Sequence, residues 1–374
     1  MIVVHAGAGY HSGAKADVYK KTCDEACQKA VSLLRNGNSS VEAVQAAITV
    51  LEDADCTNAG YGSNLTLDGK VECDASIMDG TTCHYGAVGA LPANIRNPIT
   101  AAYRLLQAQV GGKLSLGRVP PCTLVGDGAR QWCINEDFAV CEPDSMVSES
   151  SHRAYVKHRR KLLLHTSKMS NSAATERKIR KPENLCCLDD SDDESDIQDT
   201  VGAVCVDVNG NIAAGVSSGG IMLKHPGRIG QAAMYGCGCW ALKRNETLPA
   251  VGVSTSGCGE HLIKTMFAKE CGEAMRFAAS ASFGVSHAFK EKFIGSEFLA
   301  GVEAQLGGVV AAQCDEDEGE MMVEVVWAHT TETMCVGFMR VDEDKPVSIL
   351  SRQEKDKASF MMEGRSFRWQ AATS

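Results

Sequence analysis

Asp199-Thr-Val-Gly-Ala-Val-Cys-Val-Asp-Val-Asn-Gly-Asn-Ile-Ala-Ala-Gly-Val-Ser-Ser-Gly-Gly220 decides the reading of this 374-residue chain. Thr200 to Val208 is β-branched and apolar, which predicts a buried strand. Asn209-Gly210 is a strong hairpin signal, because both residues tolerate the positive φ of a type I′ turn. Asn211 to Val216 then returns antiparallel. Closing the turn between Val208 and Asn211 puts Thr200 opposite Gly219 and one step from Ser218, with side chains ~5–8 Å apart. A threonine at a strand start, beside a serine and two glycines, invites a chemical reading. The alternative is an ordinary strand threonine facing a glycine bend.

An internal threonine hydroxyl is a weak nucleophile with no base beside it. If Thr200 Oγ attacks the Asp199 carbonyl, the peptide shifts to an ester and can hydrolyse. The α-amino group so released, with a pKa of about 7.7–8.0, can serve as the base for its own hydroxyl. Glycines on the facing strand let a substrate backbone approach closely. The chemistry expected is that of a self-cleaving threonine hydrolase, with the break between Asp199 and Thr200 and no metal or cofactor.

Other blocks give this stretch a context. They are Ser217-Ser-Gly-Gly, His225-Pro-Gly-Arg-Ile-Gly-Gln, Tyr235-Gly-Cys-Gly-Cys-Trp and Ser254-Thr-Ser-Gly-Cys-Gly-Glu. Upstream lie His5-Ala-Gly-Ala-Gly-Tyr-His, Asn58-Ala-Gly-Tyr-Gly-Ser-Asn and Asp74-Ala-Ser-Ile-Met-Asp-Gly. Together they resemble the type 2 asparaginase family of N-terminal nucleophile hydrolases, and most closely its protease branch, the threonine aspartases. The resemblance spans nearly the whole chain in order, leaving out only about 142–198.

It implies an α+β fold, a four-layer αββα sandwich. Residues 1–199 and 200–374 would become α and β subunits, intertwined in one domain and paired as (αβ)2. Thr200 would be the nucleophile, oriented by Ser218, with Asn58 in contact. Gly7 would lie on a glycine loop at the rim. Arg228 would hold a substrate carboxylate, and Ser256, Gly257 and Gly259 would bind substrate and its oxyanion. The protease branch further implies substrates with aspartate before the cut bond. These would be nuclear regulators such as trithorax/MLL-type histone methyltransferases and the transcription factor IIA precursor.

The residues bear on these roles with alternatives open. Asn58 stands in a Gly/Asn-rich loop, where it serves equally as a donor or as a turn former. Arg228 offers a planar fork that fits a carboxylate, or lies on the surface after a Pro-Gly turn. Ser256-Gly257-Cys258-Gly259 opens an expected helix to about Ser280, whose first N–H groups either stabilise an oxyanion or form a plain cap. At Gln231 the chain departs from its small-molecule relatives, which the resemblance gives an aspartate for a free α-ammonium. A neutral glutamine cannot make that ion pair. A peptide substrate has no ammonium there, so Gln231 favours cleavage after aspartate over an asparaginase or β-aspartyl peptidase. A non-catalytic nuclear binding module is the remaining alternative.

Composition excludes other classes. The net charge is −10, which argues against broad nucleic-acid affinity. Seventeen cysteines without a CxxC pair point away from a zinc ribbon and toward free thiols in a reducing, intracellular compartment. The N-terminus lacks a basic signal-peptide region, and no apolar run approaches the ~18 residues of a membrane span. Gly7-x-Gly9 after a first strand lacks the rest of a dinucleotide fingerprint.

Along the chain, helices are expected over Ala16–Arg35 and Val41–Asp53, the second capped by Ser39 or Ser40. Strands follow over Val71–Met78 and Tyr85–Leu91, then a helix from Asn97-Pro98 to about Gln109. The segment 142–198 changes character. It holds Lys157-His-Arg-Arg-Lys161, Arg177-Lys-Ile-Arg-Lys181 and the acidic Asp189–Glu194. It reads as a flexible charged excursion or, through the Lys157–Lys181 tract, as a bipartite nuclear import signal. The resemblance favours import, which implies the nucleus, with the cytoplasm as a second location. Ala250–Ser254 is an expected strand, and His287–Phe298 an expected helix. Leu306–Gln313, Met321–His329 and Met334–Arg340 read as a strand meander, with a loosely ordered tail beyond Lys355.

Overall fold

Two sheets and two helical layers carry the chain. The computed structural model describes residues 1–172, 200–353 and 359–370. In chain order come β1 (Ile2–Gly9), α1 (Ala16–Arg35), α2 (Ser40–Asp53), β2 (Glu72–Asp79), β3 (Tyr85–Pro92), α3 (Pro98–Val110), β4 (Thr123–Val125), α4 (Gly126–Asn135) and α5 (Glu149–Ser172). Then follow β5 (Val201–Val206), β6 (Ile212–Ser218), β7 (Cys239–Leu242), β8 (Ala250–Gly257), α6 (Gly259–Lys264), α7 (Phe267–Arg276) and α8 (Ala281–His287). The chain closes with β9 (Gly307–Asp317), β10 (Glu320–His329), β11 (Thr333–Met339), β12 (Val347–Arg352) and β13 (Met361–Gln370).

An eight-stranded sheet has the order β12-β11-β1-β5-β6-β2-β3-β4, and a five-stranded sheet the order β13-β10-β9-β8-β7. Alternation along the strands sorts their side chains to two faces. Val3, Val204, Val206, Ala214 and Val216 face inward and pack with Val251, Val253, Val310 and Val325 of the small sheet. Ile2, Val4, Ala203 and Cys205 face outward against Cys23, Val31, Val44, Ile48 and Leu51 of α1 and α2. Phe267, Met275 and Val285 of α7 and α8 cover the small sheet. This is an α+β fold, a four-layer αββα sandwich. Helix α2 begins at a reciprocal capping box, Ser39 with Glu42, which satisfies two N–H groups left over at a helix start.

The central hairpin differs by one residue from the expected register. Asp207 pairs with Asn211, and Val201 with Ser217. The loop is therefore Val208-Asn209-Gly210, with φ of +76° at Gly210. Asp207 explains the slip, since its Oδ1 accepts from the N–H groups of Asn209 and Asn211 at 2.9 and 3.0 Å. This Asx-type bonding favours a three-residue loop with glycine in the left-handed position over the two-residue turn. Extended one step, the register sets Ser218 opposite Thr200, where Gly219 was expected.

Four other expectations are corrected. The helix expected from Ser256 to Ser280 breaks at Met266, which has φ of +48°. The break turns Phe267 into a cluster with Phe289 and Phe293, whose burial outweighs the left-handed cost. The last meander strand, β11, crosses to the large sheet between β1 and β12. The tail beyond Lys355 holds β13, paired with β10, where half-buried Phe367 and Trp369 alternate with exposed residues. The charged segment is helical at its start, so Lys157–Lys161 lies on α5. Arg177–Lys181, Asp189–Glu194 and Asp199 lie outside the described residues.

Gly202 shows how closely the sheets meet beside Thr200. A Cβ there would lie 2.0 Å from Ser254 Oγ and 2.5 Å from His5 Nε2. Gly202→Ala is expected to destabilise the fold by ~3 kcal/mol or more, because both neighbours are fully buried and held by packed strands. Thermal unfolding followed by circular dichroism checks this; an unchanged midpoint would contradict so tight an approach.

Candidate active site

Thr200 stands at the head of β5, 4% exposed, between residues of three elements. Its hydroxyl donates to Ser218 Oγ at 2.9 Å on the facing strand. Gln231 Nε2 donates to Thr200 Oγ1 at 3.1 Å. Ser218 Oγ also accepts from Gly220 N at 3.0 Å, which fixes the turn leaving β6. The three side chains are each nearly excluded from water, so their bonds act in a low dielectric. The arrangement fixes the rotamer of Thr200 and leaves Oγ1 with one donor aimed at it and one acceptor beside it.

The Gly219-Gly220 turn is held from the other side by Asn58. Its Nδ2 donates to Gly220 O at 2.7 Å, its Oδ1 accepts from Asn64 N at 2.9 Å, and its carbonyl accepts from Gly219 N at 2.7 Å. A direct contact with Thr200 was expected. Instead the amide of Asn58 bonds this turn, and reaches Thr200 through it. A Cβ on Gly219 would lie 2.3 Å from Asn58 Oδ1, so the close approach needs glycine there.

Glu52 lies beneath the same turn. Its Oε1 accepts from Ser217 Oγ at 2.6 Å and from Ile99 N at 2.9 Å. Burial pushes its carboxyl up to about 8, against the opposing pull of those two donors. The folded state therefore holds a proton that the unfolded chain, with an ordinary glutamate near 4.5, has lost. Stability from this group falls as pH rises from about 4.5 to about 8, by roughly 4–5 kcal/mol. Glu52→Gln is expected to flatten that decline. Urea unfolding at the two ends of the range, in single-chain protein, would show equal pH slopes in the two proteins if the assignment is wrong.

Arg228 was open between a surface side chain and a carboxylate receptor. Its side chain is 14% exposed, so it is not a surface arginine. Nε and Nη2 donate to Glu260 Oε1 at 3.0 and 2.8 Å, and Nη2 to Oε2 at 2.8 Å. Burial opposes ionisation of Glu260, but the Arg228 charge and its bonds outweigh it and hold the carboxyl below its usual range. Asp74 anchors the Arg228–Gln231 loop: its Oδ2 accepts from Gly230 N at 2.7 Å and its Oδ1 from Ala90 N at 2.8 Å. Burial raises the Asp74 carboxyl, in part offset by the charge of buried Lys224. The Lys224 ammonium donates to Glu72 O.

Ser256 and Gly257 end β8, and the helix they were expected to open begins only at Gly259, after Cys258. Ser256 Oγ accepts from Ala8 N at 2.9 Å, tying β8 to the glycine loop of β1. Gly7, at φ of +111°, forms the irregularity between His5 and Ala8 that permits this. Gly257 has φ of +122°. A Cβ on Gly259 would lie 2.7 Å from Arg228 Nη2 and 2.9 Å from Gln231 Oε1. Gly259 thus lies against Arg228 and Gln231, while Ser256 and Gly257 sit at the strand end next to Gly7.

Cys237, Cys239 and Cys258 do not converge. Cys239 Sγ meets Ser76 Oγ, and Cys237 Sγ meets the carbonyls of Tyr235 and Ile263. Among the described residues no three His, Cys, Asp or Glu side chains group as metal ligands, and the cysteines are free thiols. His261 Nδ1 accepts from Leu306 N, a structural bond. Three site residues escaped sequence reasoning: Asp74, Lys224 and Glu260. Each lies inside or next to a block quoted above, yet a lone acid or lysine there carries no signal of its partner.

The asparaginase family model matches residues 1–349. The chain is 32% identical over 291 residues to the isoaspartyl peptidase/L-asparaginase of Bos taurus, covering 76% of this chain and 81% of that one. It is 33% identical over 291 residues to the Homo sapiens protein of the same name, with the same 76% and 81% coverage. The isoaspartyl peptidase of Escherichia coli is 28% identical over 359 residues, covering 92% of this chain and 97% of its own. This chain belongs to the type 2 asparaginase family of N-terminal nucleophile hydrolases.

Proposed function

We propose that the chain is an endopeptidase of the threonine aspartase (taspase) type. It cleaves itself between Asp199 and Thr200, then cuts peptides after aspartate. Thr200 Oγ1 is the nucleophile and the freed Thr200 amine its base. Ser218 orients the hydroxyl, with Asn58 steadying the Gly219-Gly220 turn. Arg228 receives the aspartyl carboxylate. Ser256, Gly257 and Gly259 bind substrate and its oxyanion opposite Gly7. The observation that carries this reading is Gln231, a neutral amide bonded to Thr200 Oγ1 at 3.1 Å. A carboxylate there would pair with a free α-ammonium; a neutral amide suits a substrate whose nitrogen is already acylated.

The names of the relatives favour a second reading, an isoaspartyl peptidase or asparaginase acting on small substrates. Asparagine and an aspartyl residue within a peptide exchange the places of carboxylate and amide, so one arginine serves both. A side-by-side assay separates the readings. Purified protein is offered a peptide with a single internal aspartate, free asparagine and a β-aspartyl dipeptide. Peptide products ending in aspartate support the endopeptidase; ammonia or free aspartate alone supports the small-molecule enzyme.

The mature subunits would pair as (αβ)2 and act on nuclear regulators of the trithorax/MLL and transcription factor IIA kinds. Nuclear entry would rest on Lys157–Lys161, carried on α5, together with Arg177–Lys181. A fluorescent protein fused to residues 142–198 should accumulate in nuclei, and lose this when both clusters become alanine.

A further inference from the structure

We propose that Glu260 is the positioning residue that sets which edge of Arg228 meets an incoming carboxylate. This rests on Arg228 being the carboxylate receptor. A guanidinium presents its donors in a fixed planar fork, so its orientation decides what it can bind. Glu260 takes Nε and Nη2 with three bonds of 2.8–3.0 Å. Nη1 is left out of that pair and points the other way. It lies 2.9 Å from the position a Cβ would take on Gly220, and 2.9 Å from the same position on Gly230. Gly220 belongs to the turn whose N–H bonds Ser218 Oγ, the partner of the nucleophile. Nη1 therefore faces the Gly219-Gly220 turn, between two glycines that offer no side chain to block it.

A second cation strengthens the same spot. Lys224 Nζ lies 3.4 Å from that Gly220 Cβ position, so Lys224 and Arg228 approach the space from two sides. Glu260 on the outer edge and Asp74 behind Gly230 are the facing acids. Glu260 is half exposed at its side chain and Arg228 largely covered, so the pair closes Arg228 from the solvent side. Removing Glu260 frees the fork to rotate. The carboxylate then meets an unoriented cation.

The test uses mature enzyme with Glu260→Gln, Glu260→Asp or Arg228→Lys. Two peptides differ only in Asp or Asn at the cleavage position. Glu260→Gln should raise KM for the Asp peptide about tenfold with kcat within about twofold, and shrink the Asp-over-Asn preference by the same factor. Glu260→Asp keeps the charge and should recover most of the loss. A merely structural role would depress both peptides equally. An unchanged KM overturns the inference, and a lowered KM does too, since Glu260 would then compete with substrate. If Arg228→Lys abolishes the Asp preference while Glu260→Gln leaves KM alone, only this inference falls. Full preference in Arg228→Lys removes Arg228 as receptor and the inference with it. If wild type cuts neither peptide, the endopeptidase reading fails, and the same comparison is made on L-asparagine against L-asparaginamide, which lacks the α-carboxylate.

Discussion

Thr200→Ala yields a single uncut polypeptide with peptidase activity reduced by about 10⁴-fold or more. Two losses combine. Without Oγ1 nothing attacks the Asp199 carbonyl, so the α-amino group is never released. Without that amine and hydroxyl, the mature reaction has neither base nor nucleophile. The fold should survive, because among the described residues the lost hydroxyl bonds Ser218 and Gln231 alone. Gln231 Nε2 is then a buried donor without its acceptor, which costs about 1–3 kcal/mol. Intact mass and N-terminal sequencing read the outcome. Wild type should give a new terminus beginning Thr-Val-Gly-Ala, the mutant none. Thr200→Ser, which keeps the hydroxyl, should still be processed. An uncut wild-type chain that hydrolyses peptides, or an active Thr200→Ala protein, would remove the amino-terminal threonine from the mechanism.

Much of this arrangement was legible because it is local. The strands flanking Asn209-Gly210, the helix from Ala16 to Arg35 and the capped start of α2 are written in periodicity and caps. What stayed hidden depends on partners distant in sequence. The one-residue slip of the hairpin turns on Asp207 bonding the N–H groups of Asn209 and Asn211, which a two-residue turn rule ignores. Because side chains alternate with period two, that single step matters: it exchanges Gly219 for Ser218 opposite Thr200. β13 looked like a tail because Arg365 and Arg368 mask the alternation of Phe367 and Trp369. Its place is set by β10, whose Trp327 ring also lies under Arg365 at 5.5 Å. The break at Met266 follows from burying Phe267, which helix propensity cannot foresee. At the site, Thr200, Ser218, Arg228 and Gln231 stood out by motif. Glu260, Asp74 and Lys224 did not, since each acts through a fold-dependent partner. Gln231 itself was read as a mark of substrate choice; its bond to Thr200 Oγ1 shows that it also touches the threonine hydroxyl.

That bond makes Gln231→Asp the sharpest discriminator. The Thr200 amine is two carbons from Oγ1, so a carboxylate at position 231 falls within about 6 Å of it, where opposite charge stabilises the ammonium. Only the neutral amine can act as base. Raising its pKa by about 1–2 units lowers the competent fraction near neutral pH by about 10–100-fold and moves the rise of the pH–rate profile upward by the same amount. The shorter side chain also gives up the 3.1 Å donor on Oγ1. Peptide cleavage should thus fall at pH 7 and partly return at pH 9. If the protein instead acts on asparagine, the new carboxylate gains a substrate ammonium to pair with, and kcat/KM for asparagine should rise. A glutamine needed only for packing predicts neither shift: its replacement would lower the melting temperature and leave the profile where it was. Measuring kcat/KM for the aspartyl peptide and for asparagine across pH 6–10, in wild type and mutant, therefore decides at one residue whether the pocket is built for an acylated nitrogen or for a charged one.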